Sequence, residues 1–170
     1  SLPKIYYDTF YDLEIAWKIQ LAGLSSEDIT ELTPDRTIAT HYRHPVMTAD
    51  GNVIALKSGL GDMTSIVKIK NGQEKVLAEI QRLVELLGYH SNGNQAVWSD
   101  YDPDHRWNKR SWANIRLLDL KTGESRTVTK KKRFYQPSIS PDGKQIAVVS
   151  FTEHRYTLLA ILDAKTGKII

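Results

Sequence analysis

Three aspartates stand at alternate positions in Asp100-Tyr101-Asp102-Pro103-Asp104. On a curved loop, alternate carboxylates can converge on a hard cation, as they do in calcium-binding loops. A loop of that kind needs Gly at its sixth position and a bidentate Glu at its twelfth, where this chain has His105 and Ser111. Asp100, Asp102 and Asp104 therefore read as acids of a surface loop, with a cation site as the alternative. Immediately after them come His105, Arg106, Trp107, Lys109, Arg110 and Trp112. Trp and Arg recur where binding energy concentrates, because flat area and planar donors cost little entropy to hold, and loops carry function more often than the elements they join. These six residues are the expected contact surface for a partner or ligand. The competing reading is that Trp107 and Trp112 fold back as a lid over a sheet edge.

Other chemistry is sparse. His41 and His44 are three apart, which on a strand points them to opposite faces and keeps them from sharing a metal. No zinc-binding H-E-x-x-H, G-x-S-x-G nucleophile elbow, P-loop or G-x-G-x-x-G occurs, so no residue reads as nucleophile, base or zinc ligand. Lys130-Lys-Lys-Arg133 is a basic run in a connector, where a solvated charge cluster is usual. Neither a cofactor nor a metal is expected.

The elements that must position these residues announce themselves by repetition. PVMTADGNVIAL, from Pro45 to Leu56, is echoed by PSISPDGKQIAV, from Pro137 to Val148, so that the Pro and the Gly each recur after 92 positions. A degraded middle copy, SNGNQAVW, places Gly93 42 residues after Gly51 and 50 before Gly143. A second marker, IRLLDLKTG ending at Gly123 and LAILDAKTG ending at Gly167, recurs after 44 positions, with an earlier copy in IVKIKNG at Ile66 to Gly72. Units of 40 to 50 residues suit the four-stranded blade of a β-propeller. The pairs Asp50-Gly51 and Asp142-Gly143 are expected to supply the positive φ angles of tight hairpin turns, and Gly93, Gly123 and Gly167 to turn the chain at the other hairpins. Two hairpins per unit give a four-stranded antiparallel sheet whose faces are buried by stacking on the next.

The fold class expected is all-β: about three four-stranded antiparallel blades of a partial propeller, preceded by a short helix. Leu13, Ala16, Trp17, Gln20, Leu21 and Leu24 lie on one helical stripe within residues 8–24. Residues 1–34 are accordingly the helix and a polar connector, the possible tail of an upstream domain, and 35–170 the blades, divided near 35–81, 82–132 and 133–170. One segment contests this. From Glu74 to Gly88, Val76, Leu77, Ile80, Leu83, Val84 and Leu87 fit an amphipathic helix. The repeat instead demands two strands broken near Glu79 to Gln81, and it is given precedence because tertiary context overrides propensity.

At 170 residues, with 41% hydrophobic and 25% charged residues, the chain has the composition of an ordinary globular domain. A balance of 23 Lys plus Arg against 20 Asp plus Glu gives +3, too slight to demand nucleic acid or an anionic membrane. The absence of cysteine excludes disulfides and thiolate chemistry. No apolar run approaches the roughly 20 residues that span a bilayer. The missing initial Met and the stop just after a turn suggest a piece of a longer protein.

PSISPDGKQIAV, with the blade-closing DLKTGE and DAKTGK, resembles the signature of TolB-like propeller repeats, relatives of WD-repeat blades, over about Arg43 to Ile170. AVWSDYDPDHRW with IRLLD is similar to the propeller segment of large Bacteroidetes-type envelope proteins that also carry a gluzincin-like metallopeptidase domain. The helix DLEIAWKIQL is similar to the tail of such a domain. The resemblance implies a periplasmic or envelope location, and either a non-catalytic interaction or gating scaffold or the accessory propeller of a peptidase or hydrolase whose catalytic residues lie outside this chain. Since closed propellers typically need four to eight blades, the expected partners are the remainder of its own polypeptide, another envelope protein, or further copies meeting through open blade edges.

Overall fold

The computed structural model describes residues 32–34, 38–80, 88–104, 106, 111–151 and 156–170. The chain divides into two compact units, Ser1–Leu32 and Thr33–Ile170, and every element below belongs to the second. The helix expected within residues 8–24 lies outside the described residues.

Eleven strands form three antiparallel meanders among the described residues. The first sheet contains β1 (Thr40–Met47), β2 (Val53–Gly59), β3 (Ser65–Lys70) and β4 (Gln73–Glu79), hydrogen-bonded in chain order. The second contains β5 (Tyr89–Ser91), β6 (Gln95–Pro103), β7 (Ser111–Asp119) and β8 (Ser125–Thr127), again in chain order. The third contains β9 (Phe134–Ile139), β10 (Gln145–Phe151) and β11 (Thr157–Asp163). Beyond β11 the chain turns back, and Leu162 bridges Ile169 in antiparallel fashion, the start of a return along the outer edge. This is a partial propeller, and no helix occurs among the described residues.

Strand alternation explains the stacking. On β6, Ala96 and Trp98 join Leu118 of β7 against Ile54, Leu56 and Ile66 of the first sheet. The intervening Val97, with Ile115 and Leu117, packs against Ile139, Ile146, Val148 and Leu162 of the third. Period-2 alternation thus gives the middle sheet two apolar faces, each buried by a neighbour. Each fully buried Ile or Leu contributes about 1.5–3 kcal/mol through removal from water.

The turns refine the sequence reading. Gly51, Gly72, Gly93, Gly123, Gly143 and Gly167 all have φ between 69° and 88°. The aspartates Asp50 and Asp142 do not share that conformation, contrary to expectation. At Thr48-Ala49-Asp50-Gly51 the Gly51 N–H donates to the Thr48 carbonyl at 3.0 Å, leaving Gly alone in the left-handed region. The two-residue turn with both central φ angles positive is Asn71-Gly72, at 49° and 74°. The third sheet's turn is also one residue longer: Thr48 N–H donates to Asn52 O, but Ser140 N–H to Gln145 O. The sequence echo keeps its 92-residue spacing through Ile54-Ala55 and Ile146-Ala147, while the pairing across the turn shifts by one residue.

The contested segment is strand as far as Glu79, and Leu83, Val84 and Leu87 lie outside the described residues. A bulge explains its helical look. Ile66 faces Ala78 and Val67 faces Val76, so Leu77 is an extra residue in the ladder. Leu77 and Ala78 both pack on the core while Val76 is exposed, a break in alternation that imitates a helical stripe.

Candidate functional site

A cleft of about 660 Å³ opens between the end of the first sheet and one face of the second. Its floor follows from strand register. Trp98 lies opposite Arg116, Asp100 opposite Asn114 and Asp102 opposite Trp112 across β6 and β7. Positions 98, 100 and 102 share a face, as do 114 and 116, so alternation delivers one aromatic, two carboxylates, one amide and one guanidinium to the same surface. Ala78, Glu79 and Ile80 supply the opposite wall, and Lys130 and Lys131 the rim.

The guanidinium of Arg116 lies 6.0 Å from the centre of the Trp98 ring and 3.4 Å, through Nη1, from the Asp100 carboxylate. Trp98 is itself buried among the apolar side chains between the first two sheets, with the cation over its ring. The Arg116 Nε–H is buried and meets no acceptor among the described residues. Asn114 donates from Nδ2 to Asp102 at 3.4 Å, while its Oδ1 accepts the Lys132 N–H at 3.2 Å. The Ala113 N–H donates to the Lys132 carbonyl at 2.8 Å. These two bonds pin the connector, and Lys131 inside it has φ 54°, a left-handed conformation rare for a residue with a side chain.

The six expected contact residues fare unevenly. Trp112 is not on a loop: it is half-buried on β7, because the β6–β7 ladder continues to Pro103 and Ser111. Arg106 is exposed, with its backbone N–H donating to Asp104 Oδ1 at 2.9 Å. His105, Trp107, Lys109 and Arg110 lie outside the described residues. Asp100 and Asp102 are strand residues rather than loop acids, and their extended spacing directs them to Arg116 and Asn114, while Asp104 accepts the Arg106 N–H. No group of three or more His, Asp or Glu able to hold a metal occurs among the described residues. His41 and His44 both lie on β1, but a bulge between Arg43 and Val46 breaks the alternation there. The His44 ring sits 6.1 Å from that of Tyr89.

Sequence reasoning missed Trp98, Asn114, Arg116, Lys130 and Lys131. A signal existed for three of them: polar or aromatic residues at alternate positions of two apolar strands. The lysines read as ordinary solvated charge.

The turn aspartates are structural. Asp119 Oδ1 accepts the N–H groups of Lys121 and Thr122, and Asp163 Oδ1 accepts from the Thr166 N–H and hydroxyl. The Thr122 N–H holds Asp119 below the usual carboxylate pKa, and the Thr166 hydroxyl does the same for Asp163. Asp142 is lowered chiefly by the Ser140 hydroxyl, and Asp50, by Thr48 and then Lys68, to about 2.

No protein-family description matches the chain, and no curated protein does either. Solved structures do. A TolB protein of Agrobacterium tumefaciens matches with a TM-score of 0.56 at 14% identity, over 81% of this chain and 48% of that one. A puromycin-hydrolyzing peptidase of Mycobacterium tuberculosis matches at 0.56 and 11%, over 79% and 22%. The acylaminoacyl peptidase of Pyrococcus horikoshii matches at 0.51 and 16%, over 78% and 24%. The chain thus spans less than half of each. At these identities the likeness is one of fold, shared with TolB and with peptidases, in keeping with the TolB-like resemblance of the repeats.

Proposed function

We propose that the chain is the propeller portion of a larger extracytoplasmic protein, periplasmic or associated with the cell envelope, and acts as a non-catalytic interaction or gating scaffold. The observation that carries this reading is the asymmetry of the stack. Sheet two is covered on both faces, whereas the outer face of sheet three presents Tyr135, Val149, Phe151, Leu159 and Ile161, with Leu159 86% exposed. A contiguous apolar sheet face of this kind calls for a cover. The occupant is a further sheet of the same polypeptide, because it continues the two interfaces already formed by β-branched and aliphatic side chains. The likeness to two peptidases supports a second reading, an accessory propeller whose catalytic residues lie elsewhere.

Sedimentation of the 170-residue chain tests the first reading. It should self-associate with rising concentration, and Leu159→Lys with Ile161→Lys should render it monomeric. A wild-type chain that stays monomeric and binds no hydrophobic dye would overturn the uncovered face. Peptide or ester turnover by the chain itself, with zinc added, would overturn the scaffold. A periplasmic reporter fusion to the native gene that remains inactive would overturn the location.

A further inference from the structure

We infer that the cleft between the first two sheets is a docking site for an acidic segment of polypeptide, whose carboxylate is taken by Lys130, Lys131 and Arg116. This rests on the reading of the chain as a binding module and names what the module would bind.

Three observations carry it. First, the cleft is polarised. Asp100 and Asp102 line it from β6 and Glu79 from the end of β4, whereas Lys130 and Lys131 line it from the connector beyond β8, with Arg116 of β7 between β6 and that connector. A ligand there meets cations on one side and acceptors on the other, which suits a carboxylate carried on a chain of amide N–H donors. Second, Arg116 is underused. Among the described residues its one salt bridge is long, at 3.4 Å, and its Nε–H has no acceptor, although a guanidinium offers five donors in a planar fork. The Trp98 ring 6.0 Å beneath it and the Asp100 carboxylate restrict where the guanidinium can sit, so its position is set before a ligand arrives. Third, Lys131 lies in the left-handed region, and the residue after it, Lys132, is tied to β7 through both its carbonyl, which accepts the Ala113 N–H, and its N–H, which donates to Asn114 Oδ1. Backbone strain that neighbouring bonds over-determine tends to sit where a side chain must be aimed. A phosphate ion would use the cations alone and leave Asp100 and Asp102 as repulsive neighbours; a peptide uses both sides.

The test is fluorescence titration of the 170-residue chain with an acetylated, amidated pentapeptide, Gly-Gly-Glu-Gly-Gly, its Gln counterpart and inorganic phosphate. Saturable binding of the Glu peptide is expected, with the Gln peptide weaker by about tenfold or more, the range of a charge-assisted bond. Arg116→Gln should weaken the Glu peptide by a similar factor. Lys131→Gly keeps the left-handed backbone without strain, so it should weaken binding several-fold while leaving the melting temperature unchanged or higher. Equal binding of the Glu and Gln peptides would overturn the proposal. So would phosphate binding as tightly as the Glu peptide, Lys131→Gly binding like the wild type, or no saturation by about 1 mM. Mass spectrometry of the titrated peptide separates this outcome from the scaffold reading: cleavage would overturn the scaffold whether or not the cleft binds, and an intact, unbound peptide would overturn the cleft alone.

Discussion

His44 and Gln136 stand 92 residues apart in different sheets and share one uncommon backbone conformation, with φ of 52° and 47°. Each precedes a proline, and each falls where the register of its strand jumps: between Arg43 and Val46 on β1, and opposite the Ala147–Val149 step on β10. Two residues oppose one at both places. The repeat therefore preserves a β-bulge as well as its turns, and the bulge re-aims the strand toward the glycine hairpin that follows. A side chain branched at Cβ is poorly tolerated at positive φ. Gln136→Val should cost about 1–2 kcal/mol more than Gln136→Gly in urea denaturation. Equal costs would show that the conformation is not imposed by the fold.

The turn glycines should divide by what surrounds them. A Cβ on Gly51 meets nothing within 4 Å, one on Gly143 meets the Gln95 side-chain amide, and one on Gly167 meets the Val128 backbone carbonyl. All three also carry positive φ. Gly51→Ala should cost about 1 kcal/mol, the backbone effect alone. Gly143→Ala should cost more, because the amide can swing aside only by leaving its packed position. Gly167→Ala should cost the most, about 3 kcal/mol or more, since the backbone carbonyl just past β8 cannot swing aside as a side chain can. Thermal melts of the three variants test the order, and a Gly51 variant as damaged as the Gly167 variant would contradict it.

These glycines were legible because a turn needs a residue type. Gly after Asp or Thr at fixed spacing states the hairpin, and two such markers in one order state the propeller. The bulges at His44 and Gln136 carry no such signature, since neither residue advertises a left-handed backbone. The cleft was hidden for a related reason. That Trp98, Asp100 and Arg116 meet depends on the register of β6 against β7, which a loop reading of Asp100 to Trp112 had cut short. The bulge at Leu77 shows the same limit from the other side, for one inserted residue turned a period of two into something resembling a helix.

Lys57 illustrates a charge that the fold cannot release. It is 4% exposed on β2 and bridges Glu74 at 2.8 Å and Asp62 at 3.0 Å, while the Tyr42 hydroxyl donates to Glu74 at 2.7 Å. Removing one partner of a buried pair leaves the other charge desolvated and uncompensated, at about 3–5 kcal/mol. Lys57→Ala should therefore destabilise far more than Lys68→Ala, whose bridge to Asp50 is solvent-exposed and worth at most about 1 kcal/mol. Chemical denaturation of both variants checks this. Comparable losses would mean that water reaches the Lys57 network.

His90 makes a pH-dependent link between sheets. Its Nδ1 accepts the Ile139 N–H at 3.2 Å, which requires the neutral ring with its proton on Nε2. Burial, and then the nearby His44, hold its pKa below the ordinary histidine value. Protonation would turn the acceptor into a donor facing another donor. Since the unfolded chain takes up the proton first as pH falls, the contribution of His90 is complete above the unfolded pKa. It is lost progressively as pH drops from there through the lower folded value. Denaturation midpoints measured between about pH 7.5 and pH 5 should fall more steeply for the wild type than for His90→Gln, which keeps an acceptor that does not titrate. Parallel pH profiles for the two proteins would rule out a role for this ring in the acid sensitivity of the inter-sheet contact.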